Sequence, residues 1–390
     1  MVPDSWVIKN LGDIATISSG GTPSRSQSEY WGGDIPWVTT AEVNFGTITK
    51  TAQTITSLGM QCSSAKLFPK NTILMAMYGQ GKTRGQVAKL GIEATTNQAC
   101  AAITLKSGYS HEYLFQYLQS EYENIRGMSN GGGQNNLSAG LIKEIPLPVP
   151  PFAEQTKIAQ ILSTWDKAIA TTERLLANSQ QQKKALMQQL LTGQKRFAES
   201  HEEWRVANFS SLYLVKNDKK TQTTSSNYLE HGKSPIVDQG QTLIAGYTDS
   251  NQLYRDVPVI VFGDHTRAIK WVDFEFSPGA DGTQILKASD LLEARFAYYL
   301  LSNADIPNLG YSRHMRELKE IDFRYPTDKV EQQKIAQVLS TADAEIANLQ
   351  AQLDKLKLEK KALMQQLLTG KRRVRLDDEE EDVAPIRRVG

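Results

Sequence analysis

Cysteine is scarce in this chain: Cys62 and Cys100 are the only two in 390 residues, with no CxxC or Cys/His spacing around them. That excludes a disulfide framework and a thiolate zinc site, and it leads us to expect two inert thiols and a cytoplasmic location. Long apolar runs are missing too. None reaches the roughly 18 residues a membrane-spanning helix requires, and the opening MVPDSWVIKN lacks the basic-then-apolar order of a secretory signal. A dominant charge is absent as well: 44 basic and 43 acidic side chains leave +1. Residues 371–390 hold six of each sign, so the acidic run Asp377 to Asp382 hides no basic remainder. Affinity for a polyanion therefore has to come from local patches rather than from a global field. What remains, 40% hydrophobic and 22% charged, is the composition of a globular protein with more than one core.

The chain does contain a duplication. Residues 154–193 and 331–370 align without a gap and are identical at 24 of 40 positions. Two separated copies exclude a simple solenoid, whose units adjoin. In the second copy Ile346, Leu349, Leu353, Leu356, Lys360, Leu363 and Leu367 alternate spacings of three and four, the a/d pattern of a helical seam. The first places Ile169, Thr172, Leu176, Ser179, Lys183, Leu186 and Leu190 at the matching positions. The spacing predicts two long helices pairing with each other. Pro146, Pro148, Pro150 and Pro151 exclude helix until about Phe152, and Gly193 and Gly370 suit the residue after a helix end. The apolar seam positions Ile169, Leu176, Leu186, Leu190, Ile346, Leu353, Leu363 and Leu367 are the candidate partner-binding residues.

Around the repeats lie segments of another character. Short apolar runs (Ile35–Val38, Thr72–Tyr78, Ala99–Leu105; Val257–Phe262, Ala268–Phe276) alternate with turn residues, and each segment carries one amphipathic helix, Glu112–Glu121 and Leu291–Leu301. The expected fold class is α+β: two β-rich mixed α/β domains separated by two long antiparallel helices forming a coiled-coil-like, pseudo-two-fold spacer. The divisions are 1–152, 153–195, 196–330, 331–370 and a charged, disordered tail 371–390. Beyond Trp6 and Trp204 near their starts, the two segments show little similarity to each other.

Enzyme motifs are approached but not met. Ala76–Thr83 fits a relaxed phosphate-loop pattern ending Gly81-Lys82-Thr83, but Arg84–Gly91 after it is a poor helix, and no acidic strand for magnesium follows. A glycine-rich hairpin tip is the better reading. Val149-Pro150-Pro151-Phe152 resembles an amino-methyltransferase tetrapeptide, yet Val149 has no amide or carboxylate to hold a target amino group. His111, His201, His231, His265 and His314 are dispersed, so no catalytic, cofactor or metal residue is assigned.

Several loops do carry base-reading chemistry, in which Arg and Lys suit guanine and Asn and Gln suit adenine. They supply Lys82 and Arg84, Gln134 and Asn135, Gln239 and Gln241, His265 and Arg267 with Lys270, and Arg313, His314 and Arg316. Lys82, Arg84, Lys270 and Arg313 are expected to contact phosphate, and Gln134, Asn135, Arg267, His314 and Arg316 to specify bases. The rival readings are a protein-binding scaffold, supported by the near-neutral charge, and a nucleotide hydrolase.

These stretches resemble the specificity subunit of type I restriction–modification enzymes. The resemblance rests on Leu11-Gly-Asp-Ile-Ala15, Ser19-Gly-Gly-Thr-Pro-Ser24, Trp31–Val38, Gly91–Gln98, Asn136–Gln155 running into Lys157-Ile-Ala159, and Ile260–Phe274. It covers residues 1 to about 370, although only Pro326 stands before the second helix. It implies a non-catalytic subunit whose two domains each read half of a split asymmetric DNA site, with paired helices setting the gap. It further implies two methyltransferase subunits and translocase–nuclease (restriction) subunits as partners, with S-adenosylmethionine, ATP and magnesium used by them.

Overall fold

The structure, a computed structural model, describes residues 2–79, 82–128, 136–310 and 312–376. Gln134, Asn135 and the acidic run from Asp377 lie outside the described residues.

In chain order the first segment contains β1 (Val7–Asn10), α1 (Leu11–Ile14), β2 (Ala15–Ser19), β3 (Trp31–Val38), β4 (Thr47–Ile48), β5 (Gln53–Ile55), α2 (Ser57–Gln61) and β6 (Ile73–Ala76). It continues with β7 (Val87–Leu90), β8 (Thr95–Thr96), β9 (Cys100–Leu105), α3 (His111–Ser120), α4 (Tyr122–Gly127), α5 (Ala139–Lys143) and β10 (Pro146–Val149). Helix α6 (Phe152–Leu190) follows, starting where the prolines end. The second segment contains β11 (Trp204–Asn208), α7 (Phe209–Leu212), β12 (Tyr213–Val215), β13 (Ser234–Val237), β14 (Gly246–Thr248), β15 (Val259–Gly263) and β16 (Ile269–Val272). Then come β17 (Ser277–Pro278), β18 (Thr283–Ala288), α8 (Ala294–Ser302), α9 (Met315–Lys319), β19 (Asp322–Pro326) and helix α10 (Lys329–Leu367). Among the described residues no helix is long and apolar enough to cross a membrane.

The chain divides into two compact units that cut each long helix in two. Unit 1 is residues 1–171 with 352–390, and unit 2 is residues 172–351. Each unit therefore holds one β-rich domain, one end of α6 and one end of α10.

The two domains share one topology, although their sequences show little sign of it. Unit 1 has sheets ordered β2-β9-β6-β7-β4, β5-β3-β8 and β1-β10; unit 2 has β12-β18-β15-β16, β14-β13-β17 and β11-β19. In both small sheets the third strand joins parallel, β3 to β8 and β13 to β17. Only β4 is extra. In both units the short ladder between first and last strands brings the domain's two ends together, with Val7 opposite Val149 and Trp204 opposite Pro326. The prolines of β10 are tolerated because this sheet has only two strands, each an edge.

Packing repeats as well. In unit 1, Leu11, Ile14, Ile103, Leu114 and Leu118 form a core with Ile158 and Leu162 of α6 and Leu367 of α10. In unit 2, Phe209, Leu212, Phe262, Phe296 and Leu301 do the same with Leu190 of α6 and Ile335 and Leu339 of α10. Burying side chains of this size is worth roughly 1.5–3 kcal/mol each, so the helix ends are part of the domains' cores.

Candidate nucleic-acid interface

Strand register decides where the candidate loops emerge. In unit 1, Ser19 pairs with Ala101, Ala76 with Cys100, and Met75 with Val87. The turn after β2, the β6–β7 hairpin tip and the residues before β9 therefore leave the same end of the sheet. The stretch linking α1 to β2 lies at the other end, with Ala15 opposite Leu105. In unit 2, Gly263 pairs with Thr283 and Phe262 with Ile269, so the β15–β16 turn and the residues before β18 share the corresponding end.

Lys82 and Arg84 thus occupy the hairpin tip equivalent to the one carrying His265 and Arg267. A strand, β7, follows this tip where a phosphate loop needs a helix. Lys82 is exposed, and its carbonyl accepts from the Tyr122 hydroxyl. Arg84 is half-buried, with Nη2 donating to the Arg126 carbonyl at 2.7 Å. In the other tip Arg267 has φ of +60° and donates from Nη1 to the Ile306 carbonyl at 2.9 Å. Both arginines brace their own loops with part of their donor set.

Gln239, His265 and Lys270 belong to one knot. Gln239 accepts at Oε1 from the His265 backbone N–H at 3.3 Å, and its carbonyl accepts from the Thr266 hydroxyl. Lys270 is only 6% exposed; its Nζ donates to the Asp238 carbonyl at 2.7 Å and lies 3.7 Å from the Asp238 carboxylate. Burial pulls the Lys270 ammonium below its ordinary pKa, against the opposing pull of Asp238. His314 has no exposed surface. Its Nε2 accepts from the Leu309 N–H at 3.3 Å, so Nδ1 carries the proton toward the Asp264 carbonyl at 2.8 Å. Lys270 and His314, expected to contact DNA, are thus buried within the knot rather than on its surface. Gln241 and Arg313 are exposed on neighbouring loops, and Arg316 is exposed on α9.

The seam residues face inward. Leu176, Leu190, Leu353 and Leu367 are buried, and Ile169, Leu186, Ile346 and Leu363 half-buried. Of these, Leu363 and Leu367 pack on the core of unit 1 and Leu186 and Leu190 on that of unit 2, so these four cover the chain's own surfaces.

Specific pairs fix the helix ends to each domain, and they recur at repeat-equivalent positions. In unit 1 Glu154, 2% exposed, is held by Arg373, with Nε to Oε2 at 3.2 Å, and by the Trp6 indole N–H at 3.3 Å. In unit 2 Glu331, 1% exposed, is held by Arg196 at 3.0 and 2.7 Å. Gln155 accepts from the Ser110 N–H that precedes α3, and Gln332 from the Glu293 N–H that precedes α8. Lys360 bonds Asp166 at 2.6 Å; the equivalent Lys183 bonds Asp343. Along each unit these pairs run in opposite directions on the two helices, so the helix ends are antiparallel there. Gly193 and Gly370, at φ of +74° and +73°, let the chain turn against Trp204 and Trp6. Lys371–Leu376 is thereby part of unit 1 rather than of a disordered tail, because Arg373 ties it to Glu154 and Val374 packs on the core.

Residues 3–178 match the family model described as type I restriction modification DNA specificity domain. The chain is similar to type I restriction specificity subunits. The MjaIX specificity subunit of Methanocaldococcus jannaschii is 34% identical over 178 residues, which is 44% of this chain and 40% of that subunit. The chain thus aligns with less than half the length of that relative. The MjaVIII specificity subunit of the same organism is 24% identical over 413 aligned positions, 96% of this chain and 94% of the relative. A type I restriction–modification S subunit from M. genitalium superposes with a TM-score of 0.64 at 16% identity, covering 94% and 96% of the two chains, and so shares the fold.

The topology shared by the two domains also exposes positions the loop chemistry overlooked. The turn between β2 and β3 carries exposed Arg25, and the equivalent turn between β12 and β13 carries exposed Lys216, Lys219 and Lys220. Amide–basic clustering did not mark them; their strand positions do.

Proposed function

We propose that the chain is the non-catalytic DNA-reading subunit of a type I restriction–modification complex, in which each domain reads one half of a bipartite asymmetric site. One observation carries this reading: two domains of one topology present different side chains from equivalent loops. Two readers of one design with unlike loops suit two unlike half-sites. The exposed side chains Lys82, Gln241, Arg313 and Arg316 meet DNA directly, while Arg84, Arg267, Gln239, His265, Lys270 and His314 hold the loops in shape. Gln134 and Asn135 remain candidates on the loop before α5.

In this reading the paired helices act as a spacer with approximate two-fold symmetry, which would offer equivalent docking surfaces to two methyltransferase subunits. Restriction subunits complete the complex, and S-adenosylmethionine, ATP and magnesium are used by these partners. The test is a genome-wide map of methylated adenines with and without the gene. Loss of one split motif on deletion is expected; an unchanged map overturns the proposal.

A further inference from the structure

Arg25 is exposed, yet its guanidinium is fixed. Its central carbon lies 3.7 Å from the ring centroid of Trp31 and 4.9 Å from that of Trp37, and Nη1 donates to Gln53 Oε1 at 2.7 Å. The platform beneath is fixed in turn. Trp31 donates its indole N–H to the Ser24 carbonyl at 3.1 Å, and meets buried Trp37 edge-on at 5.0 Å and 90°. Trp37 donates to the Gly21 carbonyl at 2.9 Å. The loop is clamped backbone to backbone at Gly21, whose N–H donates to the Thr96 carbonyl at 2.8 Å. A Cβ at Gly20 or Gly21 would sit 1.9 Å from the Thr96 carbonyl oxygen or 2.3 Å from the Ser64 hydroxyl, so only glycine permits this approach.

Immobilising an exposed arginine costs rotamer entropy, and such side chains usually recover it through a carboxylate. Arg373 and Arg196 do so; Arg25, among the described residues, has no carboxylate in ion-pair range. Arg84 and Arg267 spend donors on the carbonyls of Arg126 and Ile306. Arg25 spends one of its five donors on Gln53 and, among the described residues, leaves its Nε–Nη2 edge unengaged. A planar fork held rigid on an indole face, with that edge free, matches the bidentate O6/N7 edge of guanine. Register puts the Arg25 loop at the same sheet end as Lys82, and its Thr22 bonds exposed Gln98 from the turn before β9.

We propose that Arg25 is a base-reading residue of the first domain, presented to a guanine edge by Trp31; this rests on the DNA-reading function above. The experiment is selection from a randomised duplex pool by the full chain, comparing the wild type with Arg25→Ala, Arg25→Lys and Trp31→Leu at one salt concentration. The expected result is loss of preference for guanine at one position of one half-site, by roughly tenfold or more, with the other half-site unchanged. Lysine should fail to restore it, and Trp31→Leu should weaken it. Thermal melting of Arg25→Ala should match the wild type, since the side chain covers little core. Two results overturn the proposal: a selected site identical to wild type, or a uniform loss of affinity for all sequences with a salt slope reduced by about one, the mark of a phosphate contact alone. A wild-type chain that selects no sequence would instead refute the DNA-reading function itself.

Discussion

Arg373 reaches back from just beyond the second repeat to grip the carboxylate of Glu154, at the start of the first repeat. Glutamate is rarely buried unless paired, and removing one partner of a buried pair leaves the other charge stranded. Arg373→Ala should therefore lower the urea midpoint of unit 1, and the double variant Arg373→Ala/Glu154→Gln should recover part of the loss. A single and a double variant with equal midpoints would show that the charge is not the reason.

Lys360 is 5% exposed and bonds Asp166 and Gln119, whereas Asp166 keeps access to solvent. The pair should respond asymmetrically. Asp166→Ala strands a buried ammonium and should cost about 2–4 kcal/mol, whereas Lys360→Met fills the seam with apolar atoms and should cost less than about 1 kcal/mol or stabilise. Denaturant titration of both variants decides it; equal losses would contradict the assignment of burial to the lysine.

Inserting one turn in both α6 and α10 adds about 5.4 Å, between one and two base-pair steps of about 3.4 Å. If the helices set the gap, the preferred site should keep its half-sites and gain roughly one or two base pairs between them. Retention of the original gap in a site-selection assay refutes the spacer role.

Cys100 is buried on β9, and burial pushes its thiol up to about 12. An unfolded thiol titrates near about 8.5, so in this window the unfolded state gives up its proton first. The thiol's contribution is therefore whole below about 8.5 and is lost as pH climbs to about 12. Cys100→Ala should show a shallower fall of urea midpoint with pH across that window, and at pH 8 a thiol reagent should label exposed Cys62 while sparing Cys100.

The helices were legible because the a/d seam, the prolines before Phe152 and the glycines after each copy are local signals. The common topology of the domains was not. Ile73–Ala76 and Val259–Gly263 take the same place in their sheets, but strand order is set by pairing across the chain, and short apolar strands carry little identity. Lys270 shows a second limit. Its strand alternates with Lys270 and Val272 inward and Ile269 and Trp271 half-covered, a choice made by Asp238 across the knot. His314, expected to read a base, stands instead at the start of α9 with its ring turned to Asp264. What made the clamps readable, once folded, was the repeat itself: Glu154 with Arg373, and Glu331 with Arg196, are the same two positions used twice.

The clamps have a genetic consequence. The helix-side residues that anchor each domain, such as Glu154 and Gln155, Glu331 and Gln332, lie in the duplicated segments, whereas the Lys82 and Arg25 loops we assign to reading lie at one end of the first domain's sheet. Homologous exchange between genes that share these segments would trade one domain whole while keeping the helix half of each clamp, so an incoming domain fits where it brings the same domain-side partners. If each domain reads one half-site as proposed, a new half-specificity could then arise in a single crossover, leaving the repeated helices as they are.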